Sequence, residues 1–324
     1  LINLLIRKNS SLEIIALDNL RSSKLSDFKK LLKKNNFKIK NNLFINEKIK
    51  IIFLKQDYGL IHKLNDNYFN RVDTLIHLAA QTGVVQSMKH PEKDAAENIV
   101  KSVKLLQYLK FRGLKKIIFS SSMGVLGDNL YTPNTSKQNP LNFYAASKSS
   151  VENYLNVYSK TYGIKSYILR FSNIYGPGQL NFTALIPEAI KSNIENKKFI
   201  ARGNGKSIRD YIYIDDIIDV YKIIAKNLFK NPKKYSGEVF NAGTNIKHTT
   251  QYVVKKIFFL NNLSSKNIFN KKKKTSGEIS VQYMNYKKLY KYFKWKPKHK
   301  FENVLPNLYT WYKNYLSTKK WKLQ

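Results

Sequence analysis

The chain has 324 residues, 43% hydrophobic and 13% aromatic, enough for a sizeable core in one or two domains and too apolar for disorder. It has no cysteine, which excludes disulfides and thiolate chemistry, and its five histidines show no metal-ligand spacing. The formal charge of +37 comes from lysines spread along the whole chain, with Asn and Ile also abundant, so it implies no specific nucleic-acid partner.

Leu1 to Ile6 is too short for a secretory core, and no apolar run approaches the roughly 20 residues of a membrane span. A soluble, cytoplasmic protein is therefore expected. Leu1 to Asn9 reads as the tail of an amphipathic helix, and Glu13 to Leu17 as a strand ending at Asp18-Asn19. An acidic residue at the end of a second strand is where a dinucleotide fold binds the adenosine ribose hydroxyls; there it would repel a 2′-phosphate and favour NAD over NADP. Taken alone, Asp18 reads equally well as a turn or helix cap. Such a fold should open with a strand and a Gly-rich turn, yet no glycine precedes Gly59 and the chain starts with Leu. The expectation is a truncated sequence that begins just after that turn.

Lys24 to Lys50 reads as a Lys/Asn-rich surface insertion, a helix and a loop. Lys50 to Leu54 is a third strand ending near Asp57, and Asp73 to Ala80 a fourth running into small residues that would let a flat cofactor approach the backbone. Asp94 to Lys110 is helical by period. The buried strand Ile117-Ile118-Phe119 then ends in Ser120-Ser121-Ser122. Strands alternating with helices in this way predict a parallel, doubly wound α/β sheet.

After the serines, a helix is expected over Asn142 to Tyr162, with Tyr144 and Lys148 four residues apart on one face. A cation held there would lower the phenol's pKa and make it a general base near neutral pH, with a serine hydroxyl sharing the proton. The spacing alone is weak, since it recurs at Tyr252/Lys256, Tyr290/Lys294 and elsewhere. Only Tyr144 follows a strand ending in serines and opens a helix. Lys165 to Phe171 is a further strand, and Gly176-Pro177-Gly178 marks a change to shorter, mixed segments. Arg209 to Asp216 reads as a strand followed by an acidic helix N-cap, Phe240 to Thr244 as a strand end, and Tyr283 to Leu316 as helix in pieces around Trp295-Lys296-Pro297.

The ordered motifs resemble the extended short-chain dehydrogenase/reductase family, in its NAD-dependent sugar-nucleotide epimerase/dehydratase branch. They are Leu17-Asp18-Asn19-Leu20, His77-Leu78-Ala79-Ala80 with Asn98, Ser120-Ser121-Ser122 with Val125 and Gly127, and Tyr144 to Lys148. Arg170 to Pro177, and Gly203-Asn204-Gly205 with Arg209-Asp210-Tyr211 and Asp215-Asp216, complete the set. The resemblance implies a Rossmann domain over 1–175, with the segment near 210–242 returning to it, and a smaller mixed α/β substrate domain over 176–324. It implies Ser122, Tyr144 and Lys148 as the catalytic trio. Asp18, Asn19, Asp57, Leu78, Ala79, Ala80, Asn98, Ser120 and Ser121, with Tyr144 and Lys148, would face NAD. Ser122, Asn173 and Arg209 would meet a nucleotide-sugar substrate; Arg209, read without the family, is as readily a salt-bridge partner of Asp210 or Asp216. A homodimer is also implied.

Three departures stand out: the absent glycine turn, Leu126 where the family usually has Tyr, and Lys273-Lys274 before Ser276-Gly277-Glu278 where many relatives place a second diphosphate-gripping Arg. The activity implied is C4 epimerisation of a nucleotide sugar. A 4,6-dehydratase of the same branch usually carries an Asp-Glu pair directly after the serine, where this chain has Met123-Gly124. A non-catalytic nucleotide-binding scaffold is the reading from another class.

Overall fold

A computed structural model describes residues 12–47, 49–70, 72–128, 137–201, 205–261, 268–270 and 279–320. The expected helix at Leu1–Asn9, Gly203-Asn204, and the stretch holding Lys271–Lys274 and Ser276-Gly277-Glu278 lie outside them.

The apolar run after Leu12 forms β1 (Leu12–Asp18), which pairs in parallel with β4 (Ile49–Lys55), Asp18 opposite Lys55. Between them lie α1 (Leu25–Lys34) and the short strands β2 (Lys38–Lys40) and β3 (Leu43–Ile45), antiparallel to each other, with β3 antiparallel to β4. The insertion expected to be helix and loop thus also extends the sheet by a hairpin. Its two-residue turn has Asn41 at φ 54°, a conformation that Asn tolerates better than most residues.

The second sheet runs β12-β7-β6-β5, all parallel, from β5 (Thr74–His77), β6 (Lys116–Ser122), β7 (Lys165–Phe171) and β12 (Glu238–Ala242). Among the described residues β1 pairs only with β4 and β5 only with β6, so the parallel strands lie in two sheets, each ending at one of these edges. Between β5 and β6 come α2 (Val84–Lys89) and α3 (Pro91–Ala95). A π turn (Ala96–Val100) then leads from α3 into α4 (Lys101–Lys110). The 20-residue α5 (Phe143–Tyr162) joins β6 to β7, and Gly163, at φ 68°, closes it.

Strand alternation sorts the core. Ile117 and Phe119 pack with Leu105 and Leu109 of α4 and with Val151 and Leu155 of α5. Ile118 faces the other way, among Leu169, Phe171 and the apolar stripe of α7 (Ile214–Lys230). The remaining strands are short. β8 (Asn173–Tyr175) pairs with β11 (Tyr211–Tyr213), and β9 (Phe199–Ala201) with β14 (Ile268–Asn270). β10 (Ile208–Arg209) lies between β13 (His248–Thr249) and β15 (Val281–Gln282). A third apolar cluster holds α6 (Leu185–Ile194), α8 (Thr250–Phe259) and, beyond α9 (Lys287–Phe293), α10 (Phe301–Lys320).

One expected cap is placed differently. Asp215 and Asp216 lie in the first turn of α7, whose N-cap is Tyr213. Asp216, fully buried, instead accepts the backbone N–H groups of Lys298 (3.0 Å) and His299 (3.1 Å), fixing the link into α10. No helix among the described residues is long and apolar enough to cross a membrane, and no group of three or more His, Asp or Glu among them could hold a metal ion.

Candidate active site

The site forms where β6 ends and α5 begins. Ser122 is extended, at φ −139°, and its hydroxyl accepts from Gly124 N at 3.1 Å, turning the chain into a short 3₁₀ segment, Met123–Leu126. Asn142 caps α5 by accepting from Ala145 N at 2.9 Å, and Ser87 of α2 accepts from Tyr144 N at 3.1 Å. Those two side chains set the position from which Tyr144 and Lys148 project along one face.

Lys148 is 4% exposed and donates from Nζ to the Ser120 carbonyl at 2.9 Å, 4.8 Å from the Phe119 ring centroid. Burial pulls its pKa down to about 8, although Asp94 and Glu152 both favour the charged form. Tyr144 moves the other way: burial pushes the phenol up to about 12, a hydrogen bond with Ser122 opposes this, and the charge of Asp94 adds to it. This corrects the expected lowering of the Tyr144 pKa. Burial sets the direction, and the Lys148 ammonium is directed at the Ser120 carbonyl.

Ser121 turns the opposite way from Ser122. It is buried and donates to Glu152 Oε1 at 2.5 Å, so its side chain does not reach the expected cofactor face. Glu152 forms a buried ion pair with Arg170, accepting from Nε at 2.9 Å and Nη2 at 2.6 Å, and it also accepts from Gln138. Asn98 is likewise buried. Its amide holds Gln81, accepting from Gln81 N at 2.8 Å and donating to its carbonyl at 3.0 Å, while Nδ2 also meets Asp94 and Ser147. It shapes the loop after β5 instead of presenting itself to a cofactor. His77, in the same motif, is a core histidine: Nε2 lies 2.9 Å from Ser102 Oγ, and burial pulls its pKa down to about 3.

The other candidates gather at the carboxyl ends of the parallel strands. Asp18, exposed at the end of β1, accepts from Leu20 N at 2.6 Å through Oδ1, while Oδ2 meets only the Ser23 hydroxyl at 3.5 Å. Asn19 accepts from Arg21 N at 3.1 Å and reaches Asp57 at 3.4 Å. Asp57 accepts from Gly59 N and from Lys101 Nζ; these bonds and the Lys101 charge hold its carboxyl below the usual range against the upward push of burial. At the end of β5, Leu78 is 52% exposed, Ala79 exposed and Ala80 half-buried. A carboxylate with one weakly engaged oxygen at the end of β1 suits a ribose diol, and small side chains at the end of β5 suit a flat ring.

On the substrate side, Asn173 donates from N (3.0 Å) and Nδ2 (3.1 Å) to the Asp210 carbonyl, which brings it next to Arg209. Arg209 Nη1 donates to the carbonyls of Ile208 (2.8 Å) and Ser280 (3.5 Å); no ion pair with Asp210 or Asp216 forms among the described residues. Leu126 is buried with Met123, Val125 and Met284 in a small apolar cluster. Sequence reading missed Asp94 and Glu152, although a signal was there: Glu152 is four residues beyond Lys148 on α5, and Asp94 four before Asn98.

The chain is 34% identical over 268 residues to a dTDP-D-glucose 4,6-dehydratase of Dictyostelium discoideum, covering 78% of this chain and 57% of that protein. It is 31% identical over 187 residues to a UDP-glucose 4-epimerase of Mycolicibacterium smegmatis, covering 55% of this chain and 57% of that one. It thus spans less than two thirds of the length of either relative. Its fold matches the crystal structure of a UDP-glucose 4-epimerase from Thermotoga maritima with UDP-glucose, at TM-score 0.77 and 26% identity over 97% of this chain and 94% of that one. The family pattern described as the NAD dependent epimerase/dehydratase family matches residues 2–243, which hold both parallel sheets, Ser122, Tyr144 and Lys148; the chain belongs to that NAD-dependent family.

Proposed function

We propose that this protein epimerises a nucleotide sugar at C4, with Ser122, Tyr144 and Lys148 as the catalytic trio. Tyr144 takes the proton of the C4 hydroxyl, and Ser122, hydrogen-bonded to the phenol, steadies that proton in transfer. NAD, held by these residues, would supply the hydride acceptor and donor at C4 through which the hydroxyl is oxidised to a ketone and reduced again. Lys148 anchors the nicotinamide ribose and supplies the positive charge beside the phenol. Asp18 and Asp57 hold the adenosine end. Asn173 and Arg209 orient the nucleotide diphosphate, a guanidinium suiting phosphate in bidentate geometry.

The observation that carries epimerisation over dehydration is Gly124. With Met123 before it, it leaves no carboxylic acid or base directly after Ser122, where a dehydrating pair would stand, and a Cβ placed there would lie 3.3 Å from Ala145 Cβ, closer than most such contacts. The dehydratase name of the 34%-identical relative supports the second reading. Incubation with UDP-glucose, UDP-galactose and dTDP-glucose decides between them: C4 inversion is expected, and loss of water with 4-keto-6-deoxy product would overturn the proposal.

We further infer a cytoplasmic homodimer, with residues 1–175 the cofactor domain and 176–324 mainly the substrate domain. Tyr154 and Val157 on one stripe of α5, and Val100 and Phe111 flanking the two ends of α4, are large, apolar and exposed, which suits a helix-paired interface. Light scattering after gel filtration tests it.

A further inference from the structure

Asp128 closes the turn that Ser122 opens. Gly124 N donates to Ser122 Oγ at 3.1 Å and Gly127 N to the Gly124 carbonyl at 3.1 Å, so the chain between serine and aspartate is tightly wound. Gly127, at φ 74°, then redirects it, and Asn139 N donates to the Val125 carbonyl at 2.8 Å. Asp128 itself is 4% exposed. Its Oδ2 accepts from Ser280 N at 2.8 Å and its Oδ1 from Val281 N at 3.2 Å, partners 152 and 153 residues away in the chain.

Ser280 has a second use. Its carbonyl accepts from Ile208 N at 2.9 Å and from Arg209 Nη1 at 3.5 Å. The strand that follows it, β15, pairs with β10 so that Gln282 stands beside Arg209. Asp128 thus grips the N–H of the residue whose carbonyl holds Arg209. Met284, just beyond β15, packs with Met123, Val125 and Leu126, so the same two segments also meet through apolar contact. Apolar packing is non-directional and lets two segments slide. Two charge-assisted bonds, one to each oxygen of a buried carboxylate, fix distance and direction together.

We propose that Asp128 is a positioning residue that fixes the separation between Ser122, hydrogen-bonded to Tyr144, and Arg209, through the backbone of Ser280 and Val281. This rests on the reading of Arg209 as the phosphate-binding residue and of Ser122 and Tyr144 as the reacting pair. A substrate gripped by its diphosphate presents its reacting carbon to the phenol only if that separation is held. A misplacement of about 1 Å costs about 10²-fold in rate. Loss of the clamp should therefore show in kcat, with nucleotide affinity kept.

The test is Asp128→Asn and Asp128→Ala in the full chain. The amide keeps one acceptor and turns a donor toward the other N–H, while alanine removes both acceptors. With whichever of UDP-glucose, UDP-galactose and dTDP-glucose is turned over, kcat is expected to fall about 10²-fold in the alanine variant and less in the asparagine variant. The Kd of UDP, by calorimetry, should stay within about threefold of the parent, as Arg209 and Asn173 remain. A lower melting temperature with unchanged kcat per folded molecule would show a merely structural residue and overturn the proposal; so would a loss that appears only as weaker UDP binding. A second arm needs neither turnover nor ligand. Hydrogen exchange in Asp128→Ala should quicken by about 10-fold over both 123–128 and 279–284, with α5 and β12 at parent rates. Quickening in one segment alone, or across the whole chain, overturns the proposal. Should neither variant fold, the parent decides, since exchange of its Ser280 and Val281 amides at the rate of an unstructured chain would remove the clamp. A protein that fails to epimerise sinks the functional reading and leaves the exchange arm standing.

Discussion

Glu152→Gln is the substitution whose cost the structure specifies most closely. The carboxylate is 3% exposed and takes four donors: Ser121 Oγ at 2.5 Å, Gln138 Nε2 at 2.8 Å, Arg170 Nε at 2.9 Å and Arg170 Nη2 at 2.6 Å. In the amide one oxygen becomes an NH₂. Whichever way it is turned, an Arg170 N–H then faces another donor. Ser121 can rotate, but Gln138 cannot flip without losing Ser149, which donates to its Oε1 at 2.7 Å. Removing one partner of a buried ion pair costs about 3–5 kcal/mol, because the other charge is left uncompensated. A cavity of about 360 Å³ borders Arg170 and Asn241, and water entering it would soften the penalty, so about 3 kcal/mol is expected. Urea unfolding at neutral pH measures it, and the double variant Glu152→Met/Arg170→Met should recover most of the loss. A Glu152→Gln protein within about 1 kcal/mol of the parent would refute the reasoning, since the pair would then not be desolvated.

Tyr144→Phe should lower turnover by about 10²–10⁴-fold with little change in melting temperature, because the ring still packs and only the acid/base is lost. Asp18→Ala should narrow the preference for NAD over NADP in a direct binding titration, since repulsion of the 2′-phosphate is removed. His77 has its pKa pulled from 6.5 to about 3 by burial, so the unfolded chain binds a proton that the fold refuses, and stability present above pH 6.5 is lost as pH falls toward 3. His77→Gln, which can keep the Ser102 hydrogen bond, should flatten that acid limb in urea titrations across the window. Gly127→Ala should lower the melting temperature: φ is +74°, and a Cβ would sit 2.2 Å from the Asn139 carbonyl oxygen.

Much of the frame was legible because its signals are local. Lys165–Phe171, built on the apolar run Tyr167-Ile168-Leu169 between a glycine turn and a serine, is found with those bounds. Asn142 and Gly163 are an ordinary cap and stop for α5, and both act as such. The β2–β3 hairpin was missed because its alternating Lys38-Ile39-Lys40 was read as part of a lysine-rich surface; burial of Phe44 across from it decides the strand. The direction of Asp216 was missed for another reason. An acidic pair at a helix start reads as a cap, and only the approach of Lys298 and His299 from 82 and 83 residues away shows its other use. Ser121 and Asn98 belong to the same class: their residue types mark the site, but strand alternation and the π turn give their side chains structural work.

Lys148 is the residue on which spacing alone misleads most, and the cause is physical. A Tyr and a Lys one turn apart suggest a cation lowering a phenol's pKa, yet burial acts on both and disfavours each charged form, so the phenol moves to about 12 and the ammonium to about 8. Tyr290/Lys294 and Tyr292/Lys296 have the same spacing, but those tyrosines are among the exposed large side chains, where solvent screens any such coupling. What sets the first copy apart is the docking of α5 against β6, which dries the pair, together with two buried carboxylates, Asp94 on α3 and Glu152 on α5, that favour the lysine's charge from different elements. A Tyr-x-x-x-Lys pair thus becomes a candidate base only where burial raises the strength of every nearby charge and the fold supplies the counter-charges.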